Sequence, residues 1–123
     1  MPWAKGAVVR GLVFLSGVEG RDPETDEAPP SMRAQAANCM LKVEERLEEL
    51  GSSLENIAIM TIYVTDLDEY FRERVDRHCI FGFLEEHAPT FRDVPPAETL
   101  VEVSGLARRG MKIEIDVIAA TNE

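Results

Sequence analysis

Four carboxylates stand at alternating positions in two short stretches near the C-terminus. Glu98 and Glu102 lie in Ala97-Glu98-Thr99-Leu100-Val101-Glu102-Val103, and Glu114 and Asp116 in Lys112-Ile113-Glu114-Ile115-Asp116-Val117-Ile118. A carboxylate held part-way out of water can take or give a proton near neutral pH, which makes it a candidate general acid or base. Side-chain type alternates with period two in both stretches, so each reads as a β-strand with two distinct faces. One face would carry Thr99, Val101, Val103, Ile113, Ile115 and Val117; the other would carry Glu98, Leu100, Glu102, Glu114, Asp116 and Ile118. The apolar face wants a core, and the acidic face wants either water or a task.

Other reactive side chains offer less. Cys39 and Cys79 are forty positions apart with no Cys-x-x-Cys pair, and read as small reduced hydrophobes. His78 adjoins Cys79, which points the two to different faces of a helix, and His87 stands alone; no metal site is expected. Ser16 has no histidine in its sequence neighbourhood, so a hydrogen-bonding role suits it better than a nucleophilic one.

The elements that must position these groups follow from pattern and punctuation. Ala7–Arg10 and Leu12–Val18 are apolar runs parted by Gly11, two strands or one hairpin. A polar loop follows, with a turn at Asp22-Pro23-Glu24-Thr25. Ser31 offers an N-cap to a helix from Met32 to Leu50, where Ala36, Met40, Val43, Leu47 and Leu50 share one stripe and Gly51 ends the run. Ile57–Val64 is a strand apolar on both faces. Asp66, with Glu69 three residues on, opens a second helix to about Glu86, stopped by Pro89. Gly82 inside it points to close packing. The two acidic strands come last, with Ser104–Gly110 as their turn.

The order is ββαβαββ, an α+β domain with a mixed sheet and two helices on one face. Length allows one domain and one core. Two helices leave the other face of the sheet bare, and the double-sided Ile57–Val64 strand needs that face covered. A second copy of the chain is the simplest cover, so an oligomer is expected. The net charge of −10 disfavours nucleic acid and anionic membranes as partners. Arg72, Arg74 and Arg77 do cluster, but Glu69, Glu73 and Asp76 are interleaved with them, as on a solvated helix face. No apolar run approaches the ~20 residues of a membrane span, and Met1-Pro2-Trp3-Ala4-Lys5 lacks a secretory h-region. A cytoplasmic location is the expectation.

The segments Leu12-Val13-Phe14-Leu15-Ser16-Gly17, Glu45-Arg46-Leu47 through Gly51-Ser52-Ser53-Leu54-Glu55-Asn56-Ile57, Thr61-Ile62-Tyr63-Val64-Thr65-Asp66-Leu67, Pro96-Ala97 through Val101-Glu102-Val103, and Lys112-Ile113-Glu114-Ile115 occur in an order that resembles the Rid (YjgF) family of reactive-intermediate deaminases, long called the endoribonuclease L-PSP family. No single segment is specific; the ordered set is. The resemblance implies a chorismate-mutase-like fold and a homotrimer whose sheets form an inner barrel. It also implies small-molecule clefts between subunits and no cofactor. Deaminase members hydrolyse imines and enamines made by pyridoxal-phosphate enzymes. There an Arg after Pro-Ala grips the substrate carboxylate in a bidentate fork, and a Glu on the last strand positions the attacking water.

Carried over by position, the water-positioning Glu corresponds to Glu114, the serine of the Ser-Gly pair to Ser16 beside Gly17, and the aromatic cleft wall, more loosely, to Trp3. The arginine position holds Glu98, and the small polar or thiol position two further on holds Leu100. Two unit charges about 4 Å apart interact by about 4 kcal/mol at an effective dielectric near 20, so the exchange turns attraction into repulsion of similar size. A 2-imino carboxylic acid should bind poorly unless Lys5 or Arg92 reaches the cleft from a loop. In the family register Glu98 and Glu114 share one cleft, where one of two acids keeps its proton: a general acid beside a general base. The expected activity is deaminating hydrolysis, or tautomerisation, of a small imine or enamine lacking the usual carboxylate. The structural alternative makes Glu98 an ion-pair partner of Lys5, Arg10 or Lys112 at an interface. At the level of the whole protein the alternative is a non-catalytic metabolite-binding or chaperone-like module. The ribonuclease activity in the older family name fits the net charge least.

Overall fold

The computed structural model describes residues 4–122, leaving aside the side chain of His78; Trp3 lies outside the described residues. Six strands and three helices form one mixed sheet with its helices on one side: β1 Gly6–Val9, β2 Leu12–Leu15, β3 Val18–Glu19, α1 Met32–Glu49, β4 Ile57–Val64, α2 Leu67–Arg72, α3 Phe81–His87, β5 Ala97–Glu102 and β6 Ile113–Ala120. Single 3₁₀ turns precede β4 at Leu54–Asn56 and follow α3 at Pro89–Arg92. The sheet runs β1-β2-β6-β4-β5, with the two-residue β3 also pairing on β6.

β1 and β2 form the expected hairpin. Arg10 and Gly11 both take positive φ, +50° and +77°, the backbone a two-residue hairpin turn demands. The run from Leu12 to Val18 does not continue as one strand. Ser16 and Gly17 interrupt it, and β3 resumes beside β6, with Glu19 opposite Glu114.

α1 begins where Ser31 places it, with the Ser31 hydroxyl oxygen accepting from the Ala34 N–H at 3.1 Å. Its other early N–H groups are met from α2 and just beyond: the Arg33 N–H donates to Glu73 at 2.8 Å and the Met32 N–H to Glu69 at 3.4 Å. Carboxylates at a helix N-terminus also complement its dipole. One stripe of α1, made by Met32, Ala36, Cys39, Met40, Val43 and Leu47, is fully buried against Val13, Ile113, Ile115 and Val117. At about 1.5–3 kcal/mol for each large apolar side chain taken from water, this layer is the main source of stability.

The second helix differs from its sequence expectation. It breaks after Arg72, Arg74 takes φ +55°, and the chain re-enters through a π-helical turn at Asp76–Ile80 before α3. The break lets the Glu73 carboxylate reach the start of α1 while Val75, Ile80 and Leu84 still turn into the core. A Cβ on Gly82 would stand 3.0 Å from the Arg77 carbonyl oxygen, so this glycine accommodates the wide turn.

β5 and β6 do not pair. β4 lies between them, parallel to β5 and antiparallel to β6, so residues 103–112 form a connection across a strand and not a hairpin turn. The open face of the sheet keeps Val9 52% exposed, and Leu12 and Phe14 each 39% exposed. Among the described residues, no helix is long and apolar enough to cross a membrane.

Candidate functional site

Register decides what the four carboxylates face. Met60 on β4 pairs with Glu98 on one side and with Val117 on the other. Directly paired residues point to the same side of a sheet, and Met60 and Val117 are both buried under the helices. Glu98, Leu100 and Glu102 therefore share the helix side with Ile113, Ile115 and Val117. Tyr63 pairs with Glu114 and Val101, and Thr61 with Asp116 and Thr99, all on the open side. The face grouping read from alternation is thus exchanged between the two strands. Within one chain Glu98 and Glu114 lie on opposite faces, so a shared acid–base dyad in a single protomer is excluded.

The open side holds the Glu114 region. Ser16 and Gly17 link β2 to β3 across its edge, fixed by the Ser16 N–H donating to the Lys5 carbonyl at 2.9 Å and the Ser16 hydroxyl donating to the Ala4 carbonyl at 2.6 Å. The Ser16 hydroxyl thus spends its proton on a backbone carbonyl. A Cβ on Gly17 would fall 2.4 Å from Glu114 Oε2, so the absent side chain is what lets the carboxylate lie against the Ser16-Gly17 backbone. Burial, then Asp116, then Glu19 raise the Glu114 carboxyl above its ordinary range. Asp116 accepts the Tyr63 hydroxyl at 3.1 Å, a bond that with the Asp116 charge raises the Tyr63 phenol. Beside this cluster a cleft of about 350 Å³ is lined by Phe14, Ser16, Gly17, Thr61, Asp116 and Ile118.

Glu98 lies over the helix side, on the edge strand. It borders a groove of about 330 Å³ walled by Met60, Phe81, Phe91 and Pro96, the Phe81 and Phe91 rings stacked with centroids 6.4 Å apart. Glu98 is exposed along part of its length in the single chain, yet burial and then Asp76 raise its carboxyl. Arg92 reaches the same groove but pairs with Glu85. Lys5 lines a separate polar cleft with Asp22, Lys42 and Arg46. Lys112 donates to Glu69 at 2.7 Å. Among the described residues, no ion pair within the chain involves Glu98. Leu100 is half-buried against the core on the Glu98 side.

The structure thus brings Ser16, Gly17 and Glu114 together and sets Glu98 and Leu100 apart from them. Tyr63, Asp76 and Tyr70 escape a sequence reading, because only the strand register and the broken second helix carry them to the carboxylates. Among the described residues, no three His, Cys, Asp or Glu side chains gather as a metal-binding set.

A mixed sheet banked by helices on one side, with acids set into both faces of its C-terminal strands, defines a small α+β domain with surface clefts at each face. The chain belongs to the endoribonuclease L-PSP family, which it matches over residues 1–121, the family also called Rid or YjgF. It is 30% identical over 118 residues to the 2-iminobutanoate/2-iminopropanoate deaminase of Escherichia coli strain K12, covering 96% of this chain and 86% of that protein. It is 32% identical over 120 residues to a RutC family protein of Aquifex aeolicus, covering 96% and 87%. Among solved structures, E. coli TdcF with bound serine superposes with a TM-score of 0.85 at 27% identity, covering 99% of this chain and 90% of that one.

Proposed function

We infer that this chain is a Rid-type hydrolase that deaminates a small imine or enamine in clefts between identical subunits. The observation that carries this reading is the Glu114 carboxylate, lodged against the glycine backbone with its proton affinity raised, in a chain of this family. In the reaction, Glu114 takes a proton from water as the water oxygen bonds to the C=N carbon. That proton passes to the nitrogen to give the carbinolamine; the carboxylate then carries the hydroxyl proton to the nitrogen as the C–N bond breaks, and a carbonyl compound and ammonia leave. An enamine enters the same route after tautomerising to the imine.

A cleft that contains both Glu98 and Glu114 must take them from two copies, because one copy turns them to opposite faces. A homotrimer meets this requirement and also covers Val9, Leu12 and Phe14 on the open face. Glu98 then stands where the family keeps its carboxylate-gripping arginine, and the substrate preference moves away from 2-imino carboxylic acids. The missing grip also favours a second reading, a metabolite-binding module that keeps the cleft without turnover.

Freshly generated imines, with and without a carboxylate, presented to the protein and to Glu114→Gln, separate these readings. Hydrolysis of the uncharged imines that falls at least tenfold in Glu114→Gln supports the enzyme. Turnover unchanged by that substitution removes Glu114 from the mechanism, and saturable binding without turnover favours the module.

A further inference from the structure

The groove beside Glu98 has a composition that its neighbours leave uncompensated. Its walls are apolar: Met60 on β4, Phe81 on α3, Phe91 on the following turn, and the Pro95-Pro96 segment leading into β5. Its charged rim contains Glu85, Arg92 and Glu98, and the first two neutralise each other. Glu98 remains, and its carboxyl is raised by burial and then by another carboxylate, Asp76 from the π-helical turn. Neither acid has an ion-pair partner among the described residues of the chain.

A second observation concerns a buried hydroxyl that feels the same carboxylates. Tyr70 on α2 is 1% exposed, and its hydroxyl is the one buried side-chain polar atom without a hydrogen-bond partner among the described residues. Burial raises its phenol first, then the charges of Glu98 and Asp76, so the orphaned hydroxyl sits in the field of these two acids. A buried phenol that keeps its proton can both donate and accept, and leaving it unpaired costs free energy. An unpaired acid on the rim of an apolar groove, with a second unpaired acid and an unpaired buried hydroxyl near enough to act on it or feel its charge, matches one kind of occupant.

We propose that this groove binds the positively charged, hydrogen-bond-donating nitrogen head of a small ligand with an apolar body, a primary ammonium or an iminium. The Phe81 and Phe91 rings and the proline pair cover the body. The Glu98 carboxylate takes the head by a charge-assisted hydrogen bond, Asp76 adds to the attraction, and the buried Tyr70 hydroxyl supplies a further unpartnered polar group behind them. An anionic ligand of the same size meets repulsion from both acids. The inference rests on the proposed deaminase only in treating the groove as part of its cleft. It names the substrate class: a cationic C=N compound bearing no carboxylate, gripped by charge of the opposite sign to that used by the arginine-bearing relatives.

The test is calorimetric titration of the full-length protein with benzylamine and with benzoate, probes of one size and opposite charge. Benzylamine should bind saturably in the millimolar range or tighter, and benzoate at least tenfold more weakly. Glu98→Gln should weaken benzylamine at least fivefold, Tyr70→Phe about threefold, and Glu98→Arg should reverse the preference. Thermal melts identify the folded variants, and because β5 is an edge strand both Glu98 variants should keep the parent melting temperature within a few degrees. Equal affinity for the two probes, no saturable benzylamine binding, or undiminished binding by Glu98→Gln would each overturn the proposal. The outcome also separates the two claims: an amine preference without imine turnover sinks the hydrolase alone, and imine turnover without an amine preference sinks this site alone.

Discussion

The Glu114 carboxylate occupies the volume that a side chain on residue 17 would need, 2.4 Å from where a Cβ on Gly17 would stand. The contact is with the far end of a flexible side chain, and the Gly17 backbone lies outside the left-handed region. Gly17→Ala should therefore fold, with the Glu114 carboxylate pushed aside. The expected result is at least a tenfold fall in kcat for imine hydrolysis, with a melting temperature within about 3 °C of the parent, a change under about 1 kcal/mol. Loss of folding, or full activity, would show that this close approach does not hold the carboxylate in place.

Glu114 also makes a signed statement about pH. Its folded-state carboxyl is raised by burial, Asp116 and Glu19, so the folded chain binds its proton more tightly than the unfolded chain does. Stability then falls as pH rises from the ordinary glutamate range through the raised folded value, and it is recovered on mild acidification. Glu114→Gln should remove this slope and raise the melting temperature at pH 7 by a degree or so, a small gain because the group is partly solvated and screened. Melts of both proteins from pH 4 to pH 8 check the sign; a variant less stable than the parent at pH 7 contradicts it.

Glu69 ties three parts of the fold together, accepting from Lys112 Nζ at 2.7 Å and from the first N–H of α1 at 3.4 Å. Glu69→Ala leaves a part-buried ammonium and a buried N–H without a partner. The expected cost is about 2 kcal/mol, the size of a lost charge-assisted bond with its desolvation penalty. Urea denaturation measures it, and a shift below a few tenths of a kcal/mol would make the pair incidental.

Gly20 tests backbone packing. A Cβ there would meet the Gln35 carbonyl oxygen at 2.3 Å, and helix backbone cannot swing away as a side-chain end can. Gly20→Ala should destabilise by about 3 kcal/mol, toward the upper end of overpacking costs. Denaturant unfolding should show this loss in the midpoint while the slope stays constant.

The open sheet face carries the oligomer reading. Phe14 pairs with Ile118 across β2 and β6 and keeps 39% exposure. Phe14→Glu would place a charge where a second copy would seat in the proposed trimer. Light scattering after gel filtration should report a trimer for the parent and a smaller species for the variant. A parent that is monomeric at micromolar concentration would leave Glu98 and Glu114 in separate clefts.

Much of the chain could be read from its residues alone. Ser31, Gly51 and Asp66 mark helix ends by local hydrogen bonding and backbone freedom, which act over a few residues and so show in sequence. The period-two alternation of β5 and β6 is legible for the same reason, and the ordered segments pointed to the family that the comparisons show. The split of the second helix was not: it accompanies a bond from Glu73 to the start of α1, forty residues away in the chain, which no local pattern announces. Alternation sorts each strand into two sets, but which set of β5 joins which set of β6 depends on how both register against β4, over separations of dozens of residues. A shift of one residue exchanges the faces. Side-chain order is thus set by the chain itself. Whether Glu98 meets Glu114 or turns its back on it was decided only when Met60 came to lie between Glu98 and Val117.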